Sequence, residues 1–185
     1  MNTIRLKLTS LAWCIALAVL AIVNPASAQD SKVKLKVGDV APLVTGLDQD
    51  GKEWKLAAAA GKNVVLLYFY PKDETPGCTM EACSFRDAYE DFVEAGAVVV
   101  GVSGDSLAQH EAFASHHRLP FKLISDEDGA LRKAYQVPTS MFGLVPGRVT
   151  FVIDREGVIR HVFNSQVQAR RHVKEALDIV KSLSR

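Results

Sequence analysis

The chain has 185 residues, 48% of them hydrophobic, with 22 Lys and Arg against 21 Asp and Glu and a formal net charge of +1. A charge this near balance argues against nucleic acid as a partner. The length fits one domain of the usual ~100–200 residues, so disulfides are not required merely to hold a core together.

Arg5 and Lys7 precede an apolar run from Leu11 to Val23, which is followed by Asn24-Pro25 and Ala26-Ser27-Ala28. That is the order of a secretory signal, so residues 1–28 are expected to be cleaved after Ala28 and the protein to be periplasmic. The run is shorter than the ~18 apolar residues a span needs and Pro25 follows it, so no stable membrane anchor is expected. Cys14 leaves with this leader, together with Arg5, Lys7 and no acid, which turns the charge from +1 to −1. Without repeats, low-complexity tracts or long linkers, residues 29–185 read as one domain, entered by a mobile, charged lead-in at Gln29 to Lys36.

Leu43 to Leu47 and Glu53 to Leu56 flank Asp48-Gln49-Asp50-Gly51, the pattern of a small hairpin. Val64 to Tyr70 is a continuous apolar run rich in β-branched and aromatic residues, as in a strand buried on both faces. Thr79 to Ala95 has helical periodicity and stops at Gly96. A second strand is expected at Ala97 to Ser103, a helix at Ser106 to His117, a third strand at Phe121 to Ser125 and a short helix at Gly129 to Tyr135. Val149 to Asp154 and Val158 to Phe163 flank Arg155-Glu156-Gly157, a hairpin turn, and Gln166 to Leu183 forms a last helix. The sum is an α/β domain of thioredoxin-like order, with a mixed central sheet, flanking helices and an N-terminal β-hairpin.

The chemistry concentrates at Pro71 to Cys83, "PKDETPGCTMEAC". This loop leaves the carboxyl end of a central strand, where open α/β sheets keep their sites. Thr75 is a good N-cap before Pro76, so Gly77 and Cys78 fall in the first helical turn, where unpaired N–H groups and the macrodipole favour a thiolate. The plainer reading is a buried cysteine that follows a cap. In an ideal helix Cys78 and Cys83 have Cα atoms ~8.6 Å apart, whereas a disulfide wants less than about 7 Å, so pairing would require the helix start to unwind. Such a bond suits a catalytic cycle better than a staple. A zinc clip is disfavoured because no second Cys pair or Cys/His set has ligand spacing, and the absence of a Cys-x-x-Cys counts against plain thioredoxin chemistry. His110, His116 and His117 read as surface or core histidines, and Glu81 as support for the helix dipole.

Several segments together resemble a known family: Pro-x-x-x-Thr-x-x-Cys at Pro71, Thr75 and Cys78, "CTMEACSFRD" from Cys78, "GDVAP" at Gly38 to Pro42, "LISDEDG" at Leu123 to Gly129 and "GRVTFVID" at Gly147 to Asp154. In this order they are similar to the peroxiredoxins, within them the bacterioferritin comigratory protein or peroxiredoxin Q group. The resemblance implies a thiol peroxidase acting on hydrogen peroxide and organic hydroperoxides, a monomer in preference to an oligomer, without prosthetic group or metal. It implies that Cys78 is the peroxidatic cysteine, that Thr75 aims its hydroxyl at the sulfur, that Arg148 steadies the thiolate and that Pro71 shapes the loop. It further implies that Cys83 is the resolving cysteine, closing a Cys78–Cys83 disulfide that a thioredoxin-like protein reopens; in a periplasm that donor would be an exported one. Competing readings are a thiol-disulfide oxidoreductase acting on protein cysteines and a binding domain with a static disulfide.

Overall fold

The computed structural model describes residues 33–140 and 143–184. The leader, its cleavage point and Cys14 lie outside the described residues, as do Met141 and Phe142. Among the described residues no helix is long and apolar enough to cross a membrane.

In chain order the elements are β1 (Thr45–Asp48), β2 (Glu53–Lys55), α1 (Leu56–Ala60), β3 (Val64–Phe69), α2 (Pro76–Asp87), α3 (Tyr89–Glu94), β4 (Ala97–Ser103) and α4 (Leu107–His117). There follow β5 (Lys122–Ser125), α5 (Ala130–Ala134), β6 (Thr139–Ser140), β7 (Val145–Pro146), β8 (Val149–Ile153), β9 (Ile159–Asn164) and α6 (Ala169–Leu183). A seven-stranded sheet has the order β2-β1-β5-β4-β3-β8-β9. β3, β4 and β5 run parallel, and the flanking pairs are antiparallel, so the sheet is mixed as expected. The expected N-terminal hairpin is present and extends this same sheet, pairing Leu47 with Ser125 and Asp48 with Ile124.

β3 shows why its sequence carries no polar position. Side chains alternate across a strand. Val64, Leu66, Tyr68 and Tyr70 enter the core beneath α2, α3, α4 and α6, whereas Val65, Leu67 and Phe69 enter a second core beneath α1 and α5. Gly101 in β4 lets Tyr68 lie flat, since a Cβ there would stand 2.8 Å from its ring and hydroxyl. Val33 and Leu35 pack against the second core, so the end of the expected mobile lead-in is anchored.

α2 starts at Pro76, as the Thr75 cap and Pro76 predict, because proline at the first helical position is pre-set for a helix. The last helix differs from expectation, beginning at Ala169 and not at Gln166. The segment to Ala95 is also two helices, broken at Ala88 (φ −100°, ψ 8°).

Candidate active site

The sheet order fixes the site. β8 lies antiparallel beside β3 with Phe69 opposite Val149, so Arg148 emerges next to the carboxyl end of β3, where the chain departs for α2. Residues 70 positions apart in sequence thereby meet: Arg148 Nη2 donates to Cys78 Sγ at 3.2 Å. Cys78 is the third residue of α2, and the first backbone bond of that helix runs from Thr79 N to Thr75 O. The Cys78 N–H therefore belongs to the unpaired first turn, and the sulfur faces both the helix dipole and a guanidinium. Gly77 gives the guanidinium room, because a Cβ there would make a tight 3.3 Å contact with Arg148 Nη2.

Arg148 is 3% exposed and is not the strand-end surface arginine its sequence position suggests. Three acceptors hold it: Cys78 Sγ, the Glu81 carboxylate through Nη1, and Gln166 O through Nε at 3.2 Å. Burial favours loss of its charge, but Glu81 and the sulfur outweigh this and raise its pKa.

Glu81 is wholly buried and does not support the helix dipole from the surface. It sits three residues after Cys78, on nearly the same face of α2, and that spacing was the sequence signal for its place in the site. Burial pushes its carboxyl up to about 7, with Arg148 pulling the other way. Among the described residues its Oε1 has no hydrogen-bond partner, and it lies 3.6 Å from His172 Nδ1. His172, on α6, sits between Thr150 Oγ1 at 2.7 Å and Ser165 O at 2.9 Å. Burial, then the charge of Arg148, lowers its pKa to about 4, although the Ser165 bond opposes this.

Thr75 occupies the N-cap position, but its hydroxyl makes no capping bond and donates instead to Lys72 O at 3.0 Å. That bond ties the residue before α2 back to the loop that precedes it. Pro71 is half-buried at the start of that loop. Asp73 clamps the loop from below, accepting from Tyr70 Oη (2.7 Å), pairing with His110 Nδ1 (2.8 Å) and donating its N–H to Asp105 (2.9 Å). Asp73, Asp105 and His110 lie close enough to share a metal ion, but these bonds already use them as a brace between the loop, β4 and α4.

Cys83 is half-buried, in the same unbroken α2 as Cys78, and both thiols are free. The two sulfurs have different neighbours: Arg148 for Cys78, and His117 Nδ1, at 3.9 Å, for Cys83.

Residues 37–162 match the model of the AhpC/TSA family. Peroxiredoxin Q, chloroplastic, of Triticum aestivum is 51% identical over 150 residues, covering 81% of this chain and 69% of the relative. The chain belongs to the AhpC/TSA family, in its peroxiredoxin Q group. A second peroxiredoxin Q, chloroplastic, from Arabidopsis thaliana, is 48% identical over 164 residues, 86% of this chain and 76% of that one. Among solved structures, peroxidoxin BcpB of Mycobacterium tuberculosis superposes with a TM-score of 0.76 at 33% identity, covering 80% of this chain and 98% of that one. The bacterioferritin comigratory protein of Xanthomonas campestris gives 0.72 at 31%, covering 80% and 100%. This peroxiredoxin is thus a thiol peroxidase that cycles through a disulfide and takes its electrons from a thioredoxin-type reductant.

The compartment expectation is corrected by the same relatives. The peroxiredoxin Q relatives of plants are chloroplastic, which points to a plastid and away from a bacterial periplasm and an exported donor. The physical reason is that a basic, acid-poor leader is common to secretory and transit segments, so that feature does not separate them.

Proposed function

We propose that Cys78 is the peroxidatic cysteine and Cys83 the resolving one, with Arg148 as the cation at the reacting sulfur. The observation that carries this is the bond from Arg148 Nη2 to Cys78 Sγ at the start of α2. The Cys78 thiolate attacks the terminal peroxide oxygen, the O–O bond breaks, and the product water or alcohol leaves as Cys78 becomes a sulfenic acid. A guanidinium already in place stabilises both the thiolate and the charge that grows on the leaving oxygen, without reorganisation. Glu81 and Gln166 O fix its plane. Cys83 then attacks the Cys78 sulfur, water departs, and the thioredoxin-type partner reopens the disulfide.

Hydrogen peroxide and organic hydroperoxides are the substrate class; the Xanthomonas relative is described by its alkyl peroxide reduction. Both thiols sit on one helix, so the cycle needs no second subunit and a monomer suffices. Residues 29–185 are taken as the catalytic domain.

The test is peroxide consumption by Cys78→Ser and Cys83→Ser. The first should lose it, and retained turnover with dithiothreitol would overturn the assignment. The second should reduce one peroxide per enzyme and then recycle slowly; a normal thioredoxin-dependent steady state would remove Cys83 from its role.

A further inference from the structure

Three histidines among the described residues face different sets of partners. His110 presents both ring nitrogens to oxygen acceptors, Asp73 Oδ2 and Ile124 O. His172 accepts from the Thr150 hydroxyl and donates to Ser165 O. In His117, Nε2 faces Glu74 Oε2 at 3.1 Å and Nδ1 faces Cys83 Sγ at 3.9 Å. Ionised Glu74 can only accept, so Nε2 carries the proton and the Nδ1 lone pair is left for the Cys83 thiol. Its bonds to His116 and His117 hold the Glu74 carboxyl below the usual carboxylate range, consistent with its ionisation at neutral pH. A nucleophile, a base and a carboxylate that orients the base stand in line.

We propose that His117, oriented by Glu74, is the base that prepares Cys83 for its attack on the Cys78 sulfenic acid. The proposal rests on Cys83 being the resolving cysteine. The Cys83 proton passes to His117 Nδ1. The Cys83 sulfur then bonds to Cys78 Sγ, whose S–O bond breaks, and the departing hydroxide takes the proton from His117 to leave as water. Cys83 sulfur is oxidised and Cys78 sulfur reduced, so no further electron carrier is needed.

The arrangement also fits the motion the disulfide demands. Glu74 and Cys83 bracket the segment that has to unwind, and His117 touches both, so its ends stay together while Cys78 swings across. Glu74 is already in a left-handed conformation (φ 57°), outside the helix that must open. The carbonyl end of α4, where His117 is the last residue, favours the imidazolium formed in transit. The other charged or titratable groups facing His117 are His116, which shares Glu74, and Arg86, which donates to His117 O at 2.8 Å and also reaches Cys83.

The experiment follows disulfide closure after one equivalent of hydrogen peroxide by rapid quench, thiol alkylation and intact mass, in the full chain and in His117→Gln, Glu74→Gln and Cys83→Ser. Loss of a positioned general base typically costs about 10²-fold or more, so His117→Gln should slow closure at pH 7 by on the order of 10²-fold. The deficit should vanish near pH ~9, where a thiol ionises unaided. Glu74→Gln, an exposed change that leaves the packing intact, should show a smaller deficit of the same pH dependence. Closure of His117→Gln at the wild-type rate at pH 7 would overturn the proposal. So would a deficit equal at every pH, which marks a merely structural role. Wild-type recycling by Cys83→Ser would instead overturn the resolving assignment beneath it.

Discussion

Arg148 makes three separate contacts in three directions, and only a planar guanidinium fork can reach all of them. Arg148→Lys keeps the charge and loses the fork, so the single-turnover rate of peroxide reduction should fall on the order of 10²-fold, the usual cost of a donor aimed at developing charge. A loss below threefold in stopped flow would show that charge alone suffices. At this scale the sequence was unevenly legible. Cys78 could be read because its reactivity depends on neighbours along the chain, Thr75, Pro76 and Gly77. Arg148 could not be read from its own surroundings, since a strand-end arginine is ordinarily exposed; only the family resemblance placed it at the sulfur. Glu81 was misjudged for the same cause: it acts through a side chain distant in sequence, Arg148.

Helix α2 carries both thiols, and its regularity is what keeps them apart. Closing the bond has to unwind the turns between Pro76 and Ala82, while Phe85, wholly buried against Tyr68, holds the rest of the helix on the core. Hydrogen exchange should therefore quicken in residues 76–83 of the oxidised protein, by at least an order of magnitude, and stay slow around Phe85 and Phe92. Equal protection of 76–83 in both redox states would show that the disulfide forms without unwinding. The location of this helix was readable from Pro76 and the apolar spacing. Its division at Ala88 was not, because the apolar pattern continues through the break and nothing local stops a helix there.

For the molecule as a whole, two buried groups in the site tie stability to pH in opposite senses. His172 titrates at about 4 when folded against 6.5 for the free group, so its contribution is complete above 6.5 and is lost as pH falls toward 4. Glu81 is raised from 4.5 to about 7, so its contribution is complete below 4.5 and is lost as pH rises toward 7. The slopes cancel across the overlap. Glu81→Gln should expose the histidine term, losing on the order of 3 kcal/mol more than wild type between pH 6.5 and 4 in urea unfolding. An unchanged pH profile would show that the pair is not coupled to folding. The sequence alone determined the main strands and helices, their mixed α/β order and the reactive start of α2, because hydrophobic period, caps and turns are local properties. The tertiary structure decided which side chains the sheet brings together. Pairing β8 with β3 carries Arg148 to Cys78, and packing α4 beside α2 sets His117 between Glu74 and Cys83; strand order and helix docking are set by the whole core, not by any one segment.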